Sequence, residues 1–600
     1  MKNRKDIYTH RIEIYSDEFN RKKSQLVYLS VSRFAAFLLT GFGIFYLPRF
    51  SITGAVAVST IFFITFLTLV KIYAAISRKK EHLSRLIAIN ENEIKALNFE
   101  FSQFDDGAAF INHDHPFTYD LDIFGPDSIY QFLNRSASLI GKQTLAQWLS
   151  NPLTDEKSIL LKQEAIKELA SKTDCRQNFQ ASGQIYSEEE KDIESVHLWL
   201  SEPVHYLGRK IYPALCFIAP VMSAVLIILT AINLKYFSLL AYSFLAQLFL
   251  IGTHLKINNK IHDIIGTKLN LLKKFSMLFS YIEENDFISE ELVSLKHKLQ
   301  PDNNPAQKVI KNLSSLVSAF DNRLNLFAGV LLNGFVLWDI QCVLRLEKWK
   351  SKNKFNIEKW FDVLGEFDAY CSLSNFAFNN PEYCYGLPVK EPVIKITDTG
   401  HPLIRSSERV DNDILIESAG IFIIITGANM AGKSTFLRTV AINLLMAMIG
   451  APSCAREMQF KPSKLFTSMR SSDNLLKNES YFYAELKRLK ELLELLRQNN
   501  EVFIILDEIL KGTNSIDKQR GSKAVLKEII RLKGTGLIAT HDLELASLED
   551  VYPDNIRNKC FEIEIKGSEI LFDYKLYDGI TKKMNASLLM RQMGIVGEEI

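Results

Sequence analysis

The chain has 600 residues, a length typical of roughly three to five domains. Its 71 basic and 69 acidic residues give a net charge of +2, so no global basic excess indicates a nucleic-acid partner, although a local patch could still bind one. The seven cysteines are scattered without a C-x-x-C pair, which argues against a disulfide framework and a cysteine zinc site.

Two uncharged runs near the N-terminus, 34–48 and 50–70, predict a first transmembrane hairpin at about 28–70. As a helix the second run would measure about 31 Å, enough to cross a hydrocarbon core of about 30 Å. The first run reaches that length only with residues 26–33. The turn between them is expected at 47–49, within an N-terminal region 1–117.

Two further uncharged runs, 211–234 and 236–255, predict a second hairpin at about 211–255 that turns near 233–235. Basic residues cluster at the open ends of both hairpins, while the tips carry only Arg49 and Lys235. By the positive-inside tendency the open ends lie in the cytoplasm. We therefore expect a multi-pass protein of the cytoplasmic membrane with lipid as a partner; the alternative is four buried core helices.

A fifth apolar stretch, 324–338, is too short to span a bilayer and is expected to be a buried helix. Helical periodicity around it predicts an all-α domain at 118–390 that the second hairpin interrupts. The basic stretch 256–274 could bind either nucleic-acid phosphates or anionic lipid. His113 and His115 could bind a metal ion, but without a third ligand nearby we do not expect it.

From about residue 391 the pattern changes to α/β alternation, which predicts a C-terminal domain at 391–600. The apolar run 421–425 is followed by G-x-x-x-x-G-K-S from Gly427 to Ser434 and then by a helical pattern. A buried strand, a glycine loop and a helix start are what a phosphate cradle needs. Lys433 would reach the β and γ phosphates, and Ser434 would ligate Mg²⁺. The predicted nucleotide contacts are Gly427, Ala428, Asn429, Met430, Ala431, Gly432, Lys433, Ser434 and Thr435.

Two later strands are expected to complete this site. The apolar run 502–506 is followed by Asp507, expected to hold Mg²⁺, and Glu508, expected to orient or deprotonate the attacking water. Without the upstream loop these would be two solvated acids at a strand end. The strand 536–540 ends at His541, which could contact the γ-phosphate or the water, or be purely structural.

The residues that carry this chemistry resemble the MutS family, the ATPases of DNA mismatch repair and their relatives. The segments 429–438, 507–515 and 540–541 are similar to that family's phosphate loop, Walker B strand and switch histidine. Segment 480–485 looks like the signature that faces the other subunit's nucleotide, and 122–153 resembles the start of the family's lever domain.

The resemblance implies an α/β P-loop (ABC-type) ATPase domain C-terminal to an all-α lever domain. It also implies ATP and Mg²⁺ as cofactors, a homodimer and DNA as a candidate partner. The implied catalytic residues are Lys433, Glu508 and His541, with Ser480 acting in trans. Ser480 could instead be a helix N-cap, Glu485 is expected on a solvated or lever-contacting face, and Asn514 and Ser515 in a turn or an interface loop.

The departures from the family pattern limit what can be transferred. The first 120 residues contain no Phe-x-Glu wedge, the connector domain has no room, and membrane-like sequence interrupts the lever region. Two functions therefore remain: a membrane-tethered, DNA-associated ATPase without a mismatch-reading wedge, or a membrane ATPase that acts on lipid or a protein partner. A transporter is a weaker alternative, because the runs carry almost no charge to form a pathway.

Overall fold

A computed structural model describes residues 2–470, 481–498, 501–511, 514–566 and 569–581. The first 380 residues are helical. Their helices are α1 (Lys2–Phe45), α2 (Ile52–Leu97), α3 (Ile129–Leu133), α4 (Leu139–Ser150), α5 (Glu156–Ser171), α6 (Thr173–Gly183), α7 (Glu190–Ser201), α8 (Ile211–Ile232), α9 (Phe237–Ile265), α10 (Leu269–Glu284), α11 (Glu290–Lys298), α12 (Ala306–Asp321), α13 (Leu326–Val336) and α14 (Trp338–Asn379).

The first hairpin consists of α1 and α2, joined by a 3₁₀ turn at Leu47–Arg49 where the sequence predicts the tip. Ser51 caps α2 by accepting a hydrogen bond from the Gly54 N–H at 3.2 Å. Helix α2 has 46 residues and continues without a break beyond the apolar run, so one helix joins the hairpin to the region behind it. There Glu93, near the end of α2, is buried and forms an ion pair with Arg135.

The second hairpin consists of α8 and α9, and Asn233 forms its turn by accepting a hydrogen bond from the Lys235 N–H at 3.0 Å. Inside it Gln247 donates to Ser223 at 2.9 Å, and both side chains are buried. Among the described residues, four helices are long and apolar enough to cross a membrane; a fifth candidate is the pair α13 and α14, bent by 80°. The four predicted runs are thus helices of spanning length.

The expectation that the stretch 324–338 is a buried helix is wrong. Its helix α13 leaves Leu326 and Phe327 75% and 81% exposed. The buried positions are instead the small or polar residues Gly329, Asn333 and Gly334. Small residues let α13 approach the second hairpin closely, and its large side chains are consequently on the outer face.

The helical region between the hairpins packs around the long helix α14. Helix α5 begins at Glu156, where Asp155 caps it by accepting a hydrogen bond from the Ser158 N–H at 2.9 Å. The stretch 256–274 is less available to an outside anion than its lysines suggest, because three of them are already paired with acids of the same chain. These ion pairs are Lys260–Glu202, Lys268–Asp192 and Lys274–Glu188, at 2.8, 2.7 and 2.7 Å.

The C-terminal part is a mixed α/β region. Its strands are β1 (Leu387–Pro388), β2 (Ile394–Thr399), β3 (Asn412–Ile416), β4 (Phe422–Gly427), β5 (Glu457–Phe460), β6 (Lys464–Ser468), β7 (Val502–Asp507), β8 (Thr535–Thr540), β9 (Ile556–Lys566) and β10 (Glu569–Asp578). Its helices are α15 (Lys433–Met448), α16 (Tyr481–Arg497), α17 (Ser515–Arg531), α18 (Leu543–Ala546) and α19 (Leu548–Val551).

The larger sheet has the strand order β10-β9-β4-β8-β7-β6, and all its pairs except β10–β9 are parallel. Strand β8 therefore lies between β4 and β7. Strands β4, β7 and β8 are almost entirely buried, as expected of central parallel strands covered on both faces. Since parallel strands end at one edge of a sheet, the residues after these three strands come together there.

Asp120 fastens the helical region to the edge strand β6. Its buried carboxylate accepts hydrogen bonds from the Thr467 hydroxyl at 2.6 Å and from the Met469 N–H at 3.1 Å. Arg488 of α16 approaches the same carboxylate at 3.4 Å. A buried carboxylate with several donors is a strong local clamp, because removing one partner leaves a charge without compensation.

Candidate active site

The loop between β4 and α15 has the backbone geometry that the sequence predicts for a phosphate cradle. Gly427, Met430 and Gly432 all have positive φ, at 153°, 64° and 102°. At Gly427 an added Cβ would lie 2.8 Å from the Phe561 carbonyl oxygen, so a side chain is excluded there. The loop ends at the N-terminus of α15, where unpaired backbone N–H groups favour an anion.

Lys433 is held over this loop by the loop's own backbone. Its ammonium donates to the carbonyl oxygens of Gly427 and Ala428 at 2.9 and 2.8 Å, and it lies 3.4 Å from Nε2 of His541. Burial lowers the pKa of Lys433 to about 8, although Glu508 and Asp507 nearby oppose that shift. The lysine is therefore mostly charged at neutral pH, but close to losing its proton.

Ser434 and Asp507 join the two predicted halves of the site. The Ser434 hydroxyl donates to Oδ2 of Asp507 at 2.6 Å across a separation of 73 residues. A hydroxyl and a carboxylate are hard oxygen ligands that suit Mg²⁺, which usually binds one or two protein groups and takes its other ligands from phosphate and water. No group of three or more His, Cys, Asp or Glu side chains that could hold a metal occurs in the described residues, and His113 and His115 form none.

Glu508 and His541 form the second polar pair of the site. Oε1 of Glu508 lies 2.6 Å from Nε2 of His541. Glu508 has φ of 49°, a rare conformation for a non-glycine residue, and its N–H donates to the Ala539 carbonyl at 3.0 Å. The hydrogen bond to His541 is the main reason that the pKa of Glu508 falls to about 2, against the effect of burial. So weak a base is better suited to orienting a water molecule than to deprotonating it.

These side chains line one end of a cavity of about 580 Å³. The other end is formed by residues that the sequence did not single out for the site, among them His401, Arg409 and Tyr574. Burial lowers the pKa of His401 to about 4, so its ring is neutral at physiological pH. The neutral imidazole and the phenol ring provide flat surfaces at this end, beside the charged side chain of Arg409.

Tyr574 enters the cavity because the pairing of β9 and β10 shifts register between Phe572 and Leu576. Tyr574 has φ of 53°, and its carbonyl accepts from the Asn412 side chain at 3.0 Å. A Cβ on Gly432 would lie 3.1 Å from its ring. A β-bulge far along the chain leaves no clear sequence signal, which is why Tyr574 was missed.

Glu485 corrects a second expectation, because it lies neither on a solvated face nor on a lever contact. It is buried and accepts hydrogen bonds from the backbone N–H groups of Leu510 and Lys511, at 2.5 and 3.1 Å. It thereby fixes the loop that follows Asp507 and Glu508. Asn514, in turn, caps α17 by accepting from the Asp517 N–H at 2.9 Å.

The loop residues fall into two groups. Gly427 and Ala428 hold Lys433 through their carbonyls, and Ala431 is buried, with its N–H 3.4 Å from the Ala428 carbonyl. The others line the cavity: Asn429, Met430, Gly432, Lys433, Ser434 and Thr435. Ser480, predicted to act in trans, lies outside the described residues, as do Gly512 and Thr513. The catalytic and binding roles of all these residues stay predictions.

Comparison with known proteins identifies the region that contains this site. Residues 423–595 match the family model described as MutS domain V. The chain is 33% identical over 237 residues to the human protein "MutS protein homolog 4" and, over the same length, to "DNA mismatch repair protein MutS" of Thermotoga maritima. It is 34% identical over 244 residues to the MutS protein of Finegoldia magna.

Residues 423–595 are therefore identified as a MutS-type domain V. The matches cover 38–39% of this chain and 24–29% of the three relatives, so the chain spans about a quarter of the length of the curated proteins it matches. The shared part carries the cavity and its polar pairs. These matches do not include the rest of the relatives' length. The activity of a whole relative therefore cannot be assigned directly to this chain.

Proposed function

We propose that this chain is a Mg²⁺-dependent ATPase with a MutS-type nucleotide site, tethered to a membrane by its two hairpins. The observation that carries the proposal is the contact between Ser434 and Asp507 at 2.6 Å, beside Lys433 and the Glu508–His541 pair. It places a phosphate-loop hydroxyl and a strand-end carboxylate at one edge of the sheet. That is the arrangement needed to hold a magnesium–triphosphate.

Each residue has a role that follows from its position. Loop N–H groups and the Lys433 ammonium bind the phosphates, while Ser434 and Asp507 hold Mg²⁺. When bound, Mg²⁺ neutralises the charge that develops on the phosphate oxygens. Glu508 remains a carboxylate and orients the attacking water, and His541 fixes the direction of that carboxylate. The flat walls around His401 and Tyr574 accommodate the base.

We propose that the active form is a homodimer in which Ser480 faces the partner's nucleotide. This role rests on the resemblance of segment 480–485 to the family signature. A γ-phosphate enclosed only by one subunit leaves the water loosely oriented, so an isolated subunit should turn over slowly. ATP binding would close the dimer, hydrolysis would reopen it, and the helical region 118–390 would transmit the movement.

The membrane placement rests on the four spanning-length helices and on their outward-facing side chains. Phe45 and Phe50, near the tip of the first hairpin, are 82% and 75% exposed, and Phe249 of the second hairpin is 76% exposed. Large exposed apolar surface of this extent indicates a lipid or protein contact. We propose a multi-pass protein whose domain 391–600 lies on the cytoplasmic side. Its N-terminal region 1–117 contains the first hairpin.

DNA association is proposed from the relatives, two of which are named DNA mismatch repair proteins. A second candidate is the same motor acting on lipid or on a protein partner. The internal pairing of Lys260, Lys268 and Lys274 removes much of the charge that would bind either DNA phosphates or anionic lipid at this stretch, so these lysines do not decide between the two candidates.

Magnesium dependence tests the nucleotide site. We expect Ser434→Ala and Asp507→Asn to raise the Mg²⁺ concentration needed for half-maximal hydrolysis, while magnesium-free nucleotide binding persists. Ser547→Ala, at an exposed serine of the same domain, is the matched control. An unchanged magnesium requirement in both site variants would refute the proposed site.

A paired stimulation assay separates the two candidate functions. ATPase of the detergent-solubilised protein should rise with DNA in a salt-dependent manner if DNA is the partner. Stimulation by liposomes together with indifference to DNA would support the lipid candidate instead. Lys433→Ala, which should not bind nucleotide, provides the background rate.

A further inference from the structure

Helix α13 has an apolar outer face that none of the described residues covers. Leu324, Leu326, Phe327 and Leu331 are 71%, 75%, 81% and 53% exposed. The stretch 324–338 contains no charged residue, yet α13 itself has only 11 residues, about 16 Å at ~1.5 Å per residue. It is about half as long as a helix that crosses a bilayer.

The two ends of this stretch meet. Arg323, just before it, lies 3.1 Å from the carboxylate of Asp339, just after it; the Asp339 side chain is buried and that of Arg323 is mostly covered. Asn333 of α13 donates to the same carboxylate at 3.1 Å and accepts from the Asp339 N–H at 2.9 Å. Arg323 also donates to Asn259 at 2.7 Å, beyond the apolar part of α9. The apolar segment therefore leaves and returns at one polar cluster.

The inner face of α13 contacts the second hairpin within its apolar part. A Cβ on Gly334 would lie 2.1 Å from the ring of Phe244, and the ring of Phe335 lies 4.9 Å from it. Phe244 is near the middle of the apolar run 236–255. Close approach through glycine is typical of helices that pack inside a membrane.

We propose that α13 is a re-entrant membrane helix, seated in the lipid hydrocarbon against the second hairpin and entering and leaving on the same side. This inference rests on the proposed membrane placement of that hairpin. Both ends are tied to one cluster, the helix is too short to span, and its inner face reaches the middle of an apolar run. A helix at that depth can expose large apolar side chains only to hydrocarbon.

Lipid is a better occupant of this face than a soluble partner. The outer face of α13 continues the exposed apolar surface of α8 and α9, on which Phe217 and Leu245 are 74% and 60% exposed. A protein surface would have to cover the helix and the hairpin together with Asn325 as the only exposed polar residue within 324–338. Hydrocarbon covers both without specific partners.

Helix α14 connects the proposed re-entrant helix to the base of the first hairpin. A single residue, Leu337 with φ of 52°, joins α13 to the 42-residue helix α14. The far end of α14 carries Asn379, which bonds the hydroxyl of Tyr8 in α1 at 2.7 Å and the carboxylate of Glu93 in α2 at 2.9 Å. Helix α14 thus begins at the re-entrant helix and ends at the base of the first hairpin.

Nitroxide labels on the full-length protein in liposomes test the proposal. Single cysteines are introduced at Phe327 on α13, at Leu245 on α9 and at Phe355, which is 81% exposed on α14 outside the apolar runs. The partly exposed Cys216 and Cys384 are first replaced by alanine. Collision rates with oxygen, which partitions into lipid, and with a water-soluble nickel chelate are then compared at each position.

We expect oxygen to exceed nickel several-fold at Phe327→Cys and Leu245→Cys, with the opposite order at Phe355→Cys. A lipid signature at 245 with a water signature at 327 would overturn the re-entrant helix and leave the membrane proposal standing. A water signature at 245 would defeat both. Low collision rates with both reagents at 327 would mean that protein covers α13, which also overturns the inference.

Gly334→Leu provides a second test that does not depend on exposure alone. A larger side chain should push α13 away from Phe244 and increase the mobility of a label at 327, while the label at 245 keeps its lipid signature. Gly252→Leu is the control, because a Cβ at Gly252 meets nothing within 4 Å. Equal mobility in the two variants would show that α13 does not sit against α9.

Discussion

Arg438, one turn into α15, donates a hydrogen bond to the carboxylate of Asp122 at 2.9 Å. Arg470, at the end of the described part of the chain before residue 471, donates to the same carboxylate at 2.8 Å. Asp122 belongs to the helical region, while Arg438 lies on the helix that carries Ser434. One carboxylate therefore connects the helical region, the phosphate-loop helix and the segment that leads towards Ser480.

A double-mutant cycle on this contact should give a measurable coupling. Asp122→Asn and Arg438→Gln should be non-additive by about 0.5–1 kcal/mol in urea unfolding, the range for partly exposed ion pairs. The single variants should also slow ATP hydrolysis more than they weaken nucleotide binding, since they loosen the helix without touching the loop. If the two substitutions had additive effects on the free energy of unfolding, the two side chains would not be energetically coupled.

Nucleotide affinity should depend on pH through Lys433. Its pKa of about 8 means that its charged fraction falls from about nine-tenths at pH 7 to about one-tenth at pH 9. Because only the charged form attracts phosphate, the apparent Kd for MgATP should rise by about tenfold over this interval. Calorimetric titration at both pH values checks this. Lys433→Arg, whose charge does not titrate there, should show little change in Kd between them.

Glu508→Gln should bind MgATP normally but hydrolyse it on the order of 10²-fold more slowly, because the Mg²⁺ ligands remain while the water loses the charged carboxylate that orients it. Rapid-mixing kinetics with labelled nucleotide separate binding from turnover. Wild-type turnover in this variant would remove Glu508 from the mechanism.

His541→Ala should shift the acidic limb of the pH–rate profile to higher pH. The hydrogen bond to His541 is the main reason that the pKa of Glu508 is about 2 instead of its ordinary 4.5. Without it Glu508 should protonate at a higher pH, so activity near pH 5 should fall more steeply than in the wild type. A parallel profile for the two proteins would contradict the assigned pairing.

Glu485→Ala should disturb the loop after Glu508. It removes the acceptor of two backbone N–H groups in a buried setting, which should cost about 1–3 kcal/mol. Turnover should fall with it, while nucleotide affinity changes little. Glu491→Ala, at an exposed position on the same helix, should leave thermal stability and turnover unchanged. Equal thermal stability and turnover in the two variants would show that Glu485 lies on a solvated face and does not hold the loop.

Lys274→Met should destabilise the helical region by about 3–5 kcal/mol, because it leaves the buried carboxylate of Glu188 unpaired. The double variant with Glu188→Leu should recover much of that loss. Lys273→Met, at an exposed neighbour, is the control. If Lys274→Met weakened only DNA or liposome binding and left unfolding unchanged, the lysine would belong to a ligand surface instead.

Features that depend on neighbours along the chain could be predicted from the amino-acid sequence. A strand, a glycine loop and a helix start define the segment around Gly427 and Lys433, and uncharged runs of spanning length define both hairpins. Asp507, Glu508 and His541 could be placed together because parallel strands end at one edge. These predictions need only periodicity, backbone freedom and charge.

Contacts between groups that are far apart along the chain could be found only in the folded protein. The register shift that brings Tyr574 to Gly432, the burial of Glu485 against Leu510 and the pairing of Lys274 with Glu188 all join residues from different elements. Likewise the local pattern of 324–338 predicts burial, whereas packing through Gly329 and Gly334 turns the large side chains outward. Local sequence sets which face is apolar, but the shape of the neighbouring surface decides which face is covered.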